Sequence, residues 1–134
     1  MRDITNYFWH RERDLIAGSV LEEIALGVAP DDQSGTLRAK ANLRADTEVD
    51  AYLNVFERAA LDENGQVELV KYSYYLVVNG AEARGWEKDP THDPPVHGHV
   101  GPDHEWTEAP EVSLREAIDL AWDEVQLWAE GESG

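Results

Sequence analysis

The hydrophobic pattern of the chain predicts mainly β-strands. Residues 36–45 alternate strictly, with leucine and alanine on one face and the cationic Arg38, Lys40 and Arg44 on the other. A period of two with one apolar face is typical of a half-buried strand. Other apolar or β-rich runs predict further strands at residues 20–28, 51–61, 66–79 and 81–89.

Two Asn-Gly pairs indicate how the later strands connect. Asn64-Gly65 and Asn79-Gly80 are each typical of a two-residue hairpin turn. Because so short a connection joins antiparallel neighbours, the strands on either side of each turn must pair with each other.

Helical spacing near both ends of the chain predicts two helices. Residues 3–17 carry apolar side chains at such spacing. Ser113 and Glu116 form a capping box, and the apolar stripe that follows predicts a helix from about 113 to 129. The stripe consists of Leu114, Ile118, Ala121, Val125 and Trp128.

These elements predict an α+β fold in one domain over residues 1–134. An apolar helix stripe needs a sheet to cover it. We therefore expect an antiparallel sheet of four to five strands, with the N- and C-terminal helices packed on one face. The Gly-Glu-Ser-Gly tail, residues 131–134, is expected to fray.

The charge is large and unevenly distributed. The chain has 28 acidic and 11 basic residues, a net charge of −17 and no cysteine, which excludes disulfides, thiolate metal sites and a cysteine nucleophile. An acidic surface repels nucleic acid in ordinary salt, whereas a high-salt cytoplasm favours such halophile-like surfaces and screens them. Residues 36–88 carry seven bases against nine acids, so this is the part of the chain where an anionic partner would be tolerated, although a sheet with cross-strand ion pairs would have the same balance.

The first residues are polar and charged, without the apolar stretch of a signal peptide. No run approaches the length of about 18 apolar residues that a membrane-spanning helix needs. We therefore expect a cytoplasmic protein that does not enter the membrane.

Histidine and proline are concentrated in residues 89–104, which hold four of the five histidines and four of the six prolines. Proline fixes φ and lacks an N–H donor, so this segment is expected to be neither helix nor central strand. We predict a loop over residues 89–110. Because imidazole titrates near neutral pH, clustered histidines suit proton transfer or metal binding.

Three explanations of the histidine cluster stay open. His97 and His99, two residues apart on an extended segment, point the same way and form a candidate catalytic pair with His92 and Asp89. In a metal-independent ribonuclease, such histidines act as general base and general acid on RNA. Alternatively, His97, His99 and His92 or Asp89 bind zinc or a similar divalent ion. In the third explanation the loop is structural or docks a partner.

The ribonuclease hypothesis also needs groups that hold the substrate. Lys71, Arg84 or Lys88 would stabilise the charged phosphorane, and Tyr74 or Trp86 would stack on a base.

Glu57 falls on the apolar face of its predicted strand. A carboxylate in that position must be paired, hydrogen-bonded or shifted in pKa. It is therefore either a functional, buried carboxylate or a residue at the open rim of the sheet.

The segment KYSYYLVVNGAEARGWEKDPTHDPPVHGHV, residues 71–100, resembles the TumE family of toxins from prokaryotic toxin–antitoxin pairs. It shares an aromatic-rich strand, a short hairpin, a strand ending in an aromatic residue and Asp, then Pro-x-His and a closing His-x-His. The looser similarity extends from about residue 20 to 125. The family pattern falls on Tyr72, Tyr74, Trp86, Asp89, Pro90, His92, His97 and His99. The family's paired histidines are single here, with Asp93 and Val96 at the positions of the missing ones.

The resemblance implies a toxin that acts on RNA and is neutralised by a small antitoxin protein. It adds Tyr72 to the predicted substrate-binding residues. The alternative is a non-catalytic interaction or metal-binding domain. Whether the chain forms a homodimer stays open.

Overall fold

Two helices and seven strands form the part of the chain that the structure, a computed structural model, describes: residues 3–43, 49–92 and 94–131. In chain order they are α1 (Ile4–Gly18), β1 (Val20–Val28), β2 (Ser34–Asn42), β3 (Ala51–Leu61), β4 (Val67–Val78), β5 (Ala81–Lys88), β6 (Val96–Val100), β7 (Glu105–Thr107) and α2 (Leu114–Gly131). Arg44 and residues 132–134 of the predicted tail lie outside the described residues.

The seven strands form one antiparallel sheet in sequential order, β1 to β7. This confirms the α+β class and the two Asn-Gly hairpins, since β3 pairs with β4 and β4 pairs with β5. The two-residue turn is confirmed at Asn79-Gly80, where both residues adopt positive φ. The first hairpin instead has a longer loop between Leu61 and Val67, in which Gly65 adopts positive φ.

The predicted count of four to five strands is wrong, because β6 and β7 lie inside the segment predicted as a loop. The prolines flank these strands and do not interrupt them. Pro94 and Pro95 precede β6, and Pro102 lies in the turn between β6 and β7. Residues 96–100 contain no proline, so every residue of β6 can donate a backbone hydrogen bond.

Both helices pack on one face of the sheet, where the hydrophobic core lies. Ile4, Phe8 and Leu15 of α1 and Val125 of α2 are fully buried in it. Gly35 of β2 permits this approach, because a Cβ atom there would lie 2.9 Å from both Ile4 and Phe8. Neither described helix has the length and apolar character needed to cross a membrane.

The helix ends follow the capping signals in the sequence. Asp3 accepts a hydrogen bond from the Asn6 amide at the start of α1. At α2, the Glu116 amide donates to Ser113 Oγ at 3.1 Å, and the Ser113 amide donates to Glu116 Oε1 at 2.9 Å. These reciprocal bonds are the capping box, and they lower the pKa of Glu116.

The two helices also contact each other. Trp122 Nε1 of α2 donates to the Gly18 carbonyl at 2.8 Å, at the last residue of α1. A Cβ atom at Gly18 would lie 2.8 Å from the Ile118 side chain, so a larger residue would push α2 away.

Glu57 is fully buried on the core face of β3, which excludes the open-rim interpretation. Tyr7 of α1 donates to Glu57 Oε1 at 2.8 Å, and Tyr74 of β4 donates a shorter hydrogen bond to Oε2. Burial raises the pKa of Glu57, and burial together with the nearby carboxylate raises the pKa of Tyr74. The carboxyl group thus joins α1 to two strands of the sheet.

Replacing Glu57 with glutamine is expected to remove a pH-dependent loss of stability. Because burial raises the pKa of Glu57, the native protein binds this proton more tightly than the unfolded chain does. The group therefore lowers the free energy of unfolding as the pH rises from the ordinary glutamate range towards the raised pKa. Urea denaturation from about pH 4 to about pH 8 should show a smaller decline in Glu57→Gln than in the wild type.

Glu63→Gln, at an exposed carboxylate in the first hairpin, is the matched control and should leave the decline unchanged. Glu57→Ala leaves both tyrosine hydroxyls without their acceptor and should lower the free energy of unfolding by about 2–4 kcal/mol. Identical pH profiles for the wild type and Glu57→Gln would contradict this account.

Candidate functional site

The sheet face opposite the helices, the open face, holds the histidine cluster. Strand pairing aligns five residues in one row across it. From β2 to β6 these are Arg38, Phe56, Ser73, Glu87 and His97. The row arises because side chains alternate along each strand, so residues paired in register share a face.

His97 and His99 lie side by side on β6, with ring centroids 4.9 Å apart. His97 is 3% exposed, and the ring of Trp106 from β7 stacks over it at a centroid distance of 6.0 Å. His99 is more open, and its ring lies 6.0 Å from that of Tyr75 on β4. The two imidazoles therefore face the same space but differ in access to solvent.

Glu87 is the centre of the cluster, although the sequence analysis did not single it out. Its Oε1 lies 3.5 Å from His97 Nε2 and 3.4 Å from His92 Nδ1. Its Oε2 accepts a short hydrogen bond from Tyr75 and lies 4.0 Å from His99 Nε2. One carboxylate thus contacts three histidines and a tyrosine.

A glycine makes the Tyr75 contact possible. Tyr75 pairs with Gly85, and its ring occupies the space beside that glycine. A Cβ atom at Gly85 would be 2.5 Å from the Tyr75 ring, too close for any other residue without a shift of the ring. Burial and the hydrogen bond to Glu87 raise the pKa of Tyr75, so the hydroxyl stays protonated and donates.

The orientation of His99 is fixed by the turn between β6 and β7. His99 Nδ1 lies 3.1 Å from the His104 carbonyl oxygen. A carbonyl accepts hydrogen bonds, so Nδ1 carries the hydrogen, and in the neutral ring Nε2 keeps a free lone pair towards Glu87. His104 adopts a positive φ of 55°, and its own Nε2 is 2.8 Å from Glu82.

Asp89 forms a second carboxylate position beside Glu87. The Thr91 hydroxyl and amide donate to Asp89 Oδ1 at 2.7 and 3.0 Å. Lys71 Nζ lies 3.5 Å and His92 Nε2 lies 3.6 Å from Oδ2. The Thr91 hydrogen bonds, with a smaller contribution from Lys71 and His92, lower the pKa of Asp89 to about 2. Asp89 is therefore ionised throughout the physiological range.

Among the residues that the structure describes, two sets of three side chains offer ligand atoms within 4.8 Å of one another. One set is Glu87, His97 and His99, and the other is Glu87, Asp89 and His92. The predicted set of His92, His97 and His99 is thus divided between them, with Glu87 in both. Nitrogen and oxygen ligands of this kind suit zinc, whose catalytic sites use three protein ligands. His97 Nδ1 has no hydrogen-bond partner among the described residues.

Most of the predicted substrate-binding residues lie on the other face of the sheet. Tyr72, Tyr74 and Trp86 are buried in the core and have no surface on which a base could stack. Tyr72 instead accepts a hydrogen bond from the Val112 amide. Tyr74 and Trp86 therefore lie away from the open face, where a base would stack.

The predicted phosphate-binding residues divide between the two faces. Arg84 lies on the helix side, 3.4 Å from Glu124 of α2. Lys88 donates to the Leu69 carbonyl at 3.1 Å. Lys71 alone of the three lies on the open face, beside Asp89.

The alternation in β5 would have identified Glu87. It directs Glu87 away from the face that carries the apolar Trp86. The pairing of Glu87 with Ser73 depends on the register shift between Leu76 and Val77, which the turn residues do not predict. The pairing of Glu87 with His97 could not be predicted, because it depends on β6. The prolines around that strand predict a loop instead.

The family model described as Toxin TumE matches residues 13–129, from the last turns of α1 to the end of α2. No curated protein matches the chain, and no solved structure does so.

Thr91→Val is expected to raise the pKa of Asp89 from about 2 towards its ordinary value of 3.8, because the variant removes the hydroxyl donor. An NMR titration of the Asp89 carboxyl carbon measures this directly. Thr36→Val, on the open face of β2, is the control and should leave the titration unchanged. An unaltered Asp89 pKa in Thr91→Val would show that the hydroxyl does not set it.

Proposed function

The chain belongs to the TumE toxin family, and on this premise we propose that it is the toxin of a toxin–antitoxin pair and cleaves RNA with its histidine site. The observation that carries the proposal is the contact of Glu87 with His92, His97 and His99 on the open face. Clustered imidazoles around one carboxylate suit general acid–base catalysis at neutral pH. The partner is a small antitoxin protein.

In this mechanism His99 is the general base. Its Nε2 takes the proton of a ribose 2′-hydroxyl, and the 2′-oxygen attacks the adjacent phosphorus. The fixed tautomer leaves this nitrogen free to accept the proton.

His92 is the general acid. It is about half exposed, and Glu87 and Asp89 lie beside its two nitrogens. It donates a proton to the 5′-oxygen as the P–O bond breaks, which yields a 2′,3′-cyclic phosphate and a free 5′-hydroxyl. Lys71 lies at the edge of the site and would stabilise the charged phosphorane.

His97 and Asp89 have supporting roles in this proposal. His97 is too buried to reach a substrate readily, and its Nε2 lies 3.5 Å from Glu87. It therefore acts as a positioning residue that holds Glu87 between the two catalytic histidines. Asp89 orients His92.

We expect the purified protein to cleave single-stranded cellular RNA equally well with and without a chelator. His99→Ala and His92→Ala should each slow cleavage by about 100-fold or more, since general acid–base catalysis contributes at least that much. His10→Ala, at the one histidine on α1, is the matched control and should cleave at the wild-type rate. Circular dichroism verifies that each variant is folded.

Equal cleavage by His99→Ala and the wild type would remove His99 from the mechanism. A loss of cleavage in Glu87→Gln with a change in the pH–rate profile would support the central role of the carboxylate, because the variant keeps its shape but not its charge.

The second candidate function is a metal-binding domain, favoured by the three ligand atoms of Glu87, His97 and His99 within 4.8 Å. Such a site would hold zinc or a similar divalent ion.

This alternative predicts about one equivalent of zinc on elemental analysis of the purified protein. Glu87→Gln and His99→Ala should each weaken zinc binding in a calorimetric titration by at least tenfold, whereas His10→Ala should not. Metal-free protein that binds no added zinc would exclude this function.

A further inference from the structure

The open face continues beyond the histidine cluster as a basic and aromatic surface on β2 and β3. We call it the basic–aromatic face and define it by Arg38, Lys40, Tyr52, Phe56 and Arg58. All five residues lie on the same side of the sheet as Glu87 and His97, by strand register. The chain has a net charge of −17, so a face that carries three cations differs in charge from the chain as a whole.

Cations and rings are combined on this face. The Arg38 guanidinium lies 4.6 Å from the centroid of the Phe56 ring, and Lys40 Nζ lies 4.4 Å from that of Tyr52. Phe56 and Tyr52 are half-buried, so part of each ring is accessible. Nucleic-acid bases stack on both aromatic rings and arginine planes, which makes such pairs suitable stacking positions.

The charges of this face are partly uncompensated. Within residues 3–43, 49–92 and 94–131, neither Arg38 nor Arg58 makes an ion pair, and both are exposed. Lys40 lies 3.5 Å from Glu22. A guanidinium that has no carboxylate partner is available to a phosphate, which it binds with two parallel hydrogen bonds.

A surface depression joins this face to the histidine cluster. It has a volume of about 340 Å³ and is lined by Arg38, Phe56, Lys71, Ser73, Glu87 and Asp89. Arg38 and Glu87 lie three strands apart in the same row, or about 14 Å at the usual strand spacing. An extended ligand lying across the strands would therefore contact both.

We propose that the basic–aromatic face binds single-stranded RNA across the strands and presents its backbone to the Glu87 and histidine cluster. The inference rests on the proposed function and names the part of the molecule that holds its substrate. Unpaired bases are required, because a base can stack on Phe56 or Tyr52 only when it is not stacked in a duplex. The phosphates would contact Arg38, Arg58 and Lys71.

A protein partner fits other surfaces better. Ile16 of α1 and Leu127 of α2 are 59% and 64% exposed, and both lie on helices behind the sheet. The basic–aromatic face, by contrast, presents charged groups at its surface, which suit a polyanion.

The test is the binding of a short fluorescein-labelled oligouridylate, measured by fluorescence anisotropy in the His99→Ala background so that the probe is not cleaved. Arg38→Gln and Phe56→Leu should each raise the Kd by about tenfold, and Phe56→Tyr should restore tight binding. The slope of log Kd against log salt should fall by about 0.7 in Arg38→Gln, the value for one lost phosphate contact on a single strand.

Arg115→Gln and Trp9→Leu are the matched controls. Arg115→Gln repeats the arginine substitution and Trp9→Leu likewise replaces an aromatic ring with leucine, each at an exposed helix position away from the open face. Both should leave the Kd unchanged. A duplex of the same length and charge should bind at least tenfold more weakly than the single strand.

Unchanged binding in Arg38→Gln and Phe56→Leu would overturn the inference, as would duplex binding as tight as that of the single strand. Loss of antitoxin binding, with RNA binding intact, in the same variants would also overturn it.

Failure of this inference can be distinguished from failure of the ribonuclease mechanism. Tight binding of the probe without any cleavage by the wild-type chain would support this inference and exclude the ribonuclease mechanism. Cleavage by the wild-type chain, with unaltered binding in the variants, would support the ribonuclease mechanism and exclude this inference.

Discussion

Antiparallel pairing between β4, β5 and β6 determines the positions of Tyr75, Glu87, His97 and His99, the strand residues at the centre of the site. Side chains alternate along a strand, so a slip of one residue in β5 would turn Glu87 into the core and Trp86 into solvent. The turn at Asn79-Gly80 sets the register at the start of β5, and a bulge opposite Leu76 and Val77 then shifts it by one residue before Glu87. The buried aromatic residues reinforce this register, because any other register would expose them.

The Tyr-Ser-Tyr-Tyr run of β4 serves both faces of the sheet. Tyr72 and Tyr74 stack on each other in the core at a centroid distance of 4.7 Å, and Tyr74 binds the buried Glu57. Tyr75 points the other way and holds Glu87. Neighbouring residues of one strand therefore have different roles. Tyr74 binds a carboxylate in the core, and Tyr75 binds one in the histidine cluster.

Local patterns predicted the helices and the first five strands, since alternation, turn residues and a capping box are short-range signals. They did not predict β6 and β7, because Pro94, Pro95 and Pro102 border those strands. So many prolines predict a loop, and the proline-free run between them is short. The histidines were identified by composition. Their common partner Glu87 was not, because its contacts arise from strand pairing and not from spacing along the chain. Residue type suggests base stacking for Tyr74 and Trp86, whereas the alternation of side chains in their strands places both in the core.

The short edge strand β7 has a consequence for the dynamics of the site. Its three residues pair with β6 alone, so it can separate from the sheet at a much lower free energy than global unfolding requires. Trp106 would then leave the ring of His97, which it now covers. The solvent access of the most buried histidine is thus governed by local fraying at one edge, and amide exchange in β7 should report how often that imidazole is uncovered.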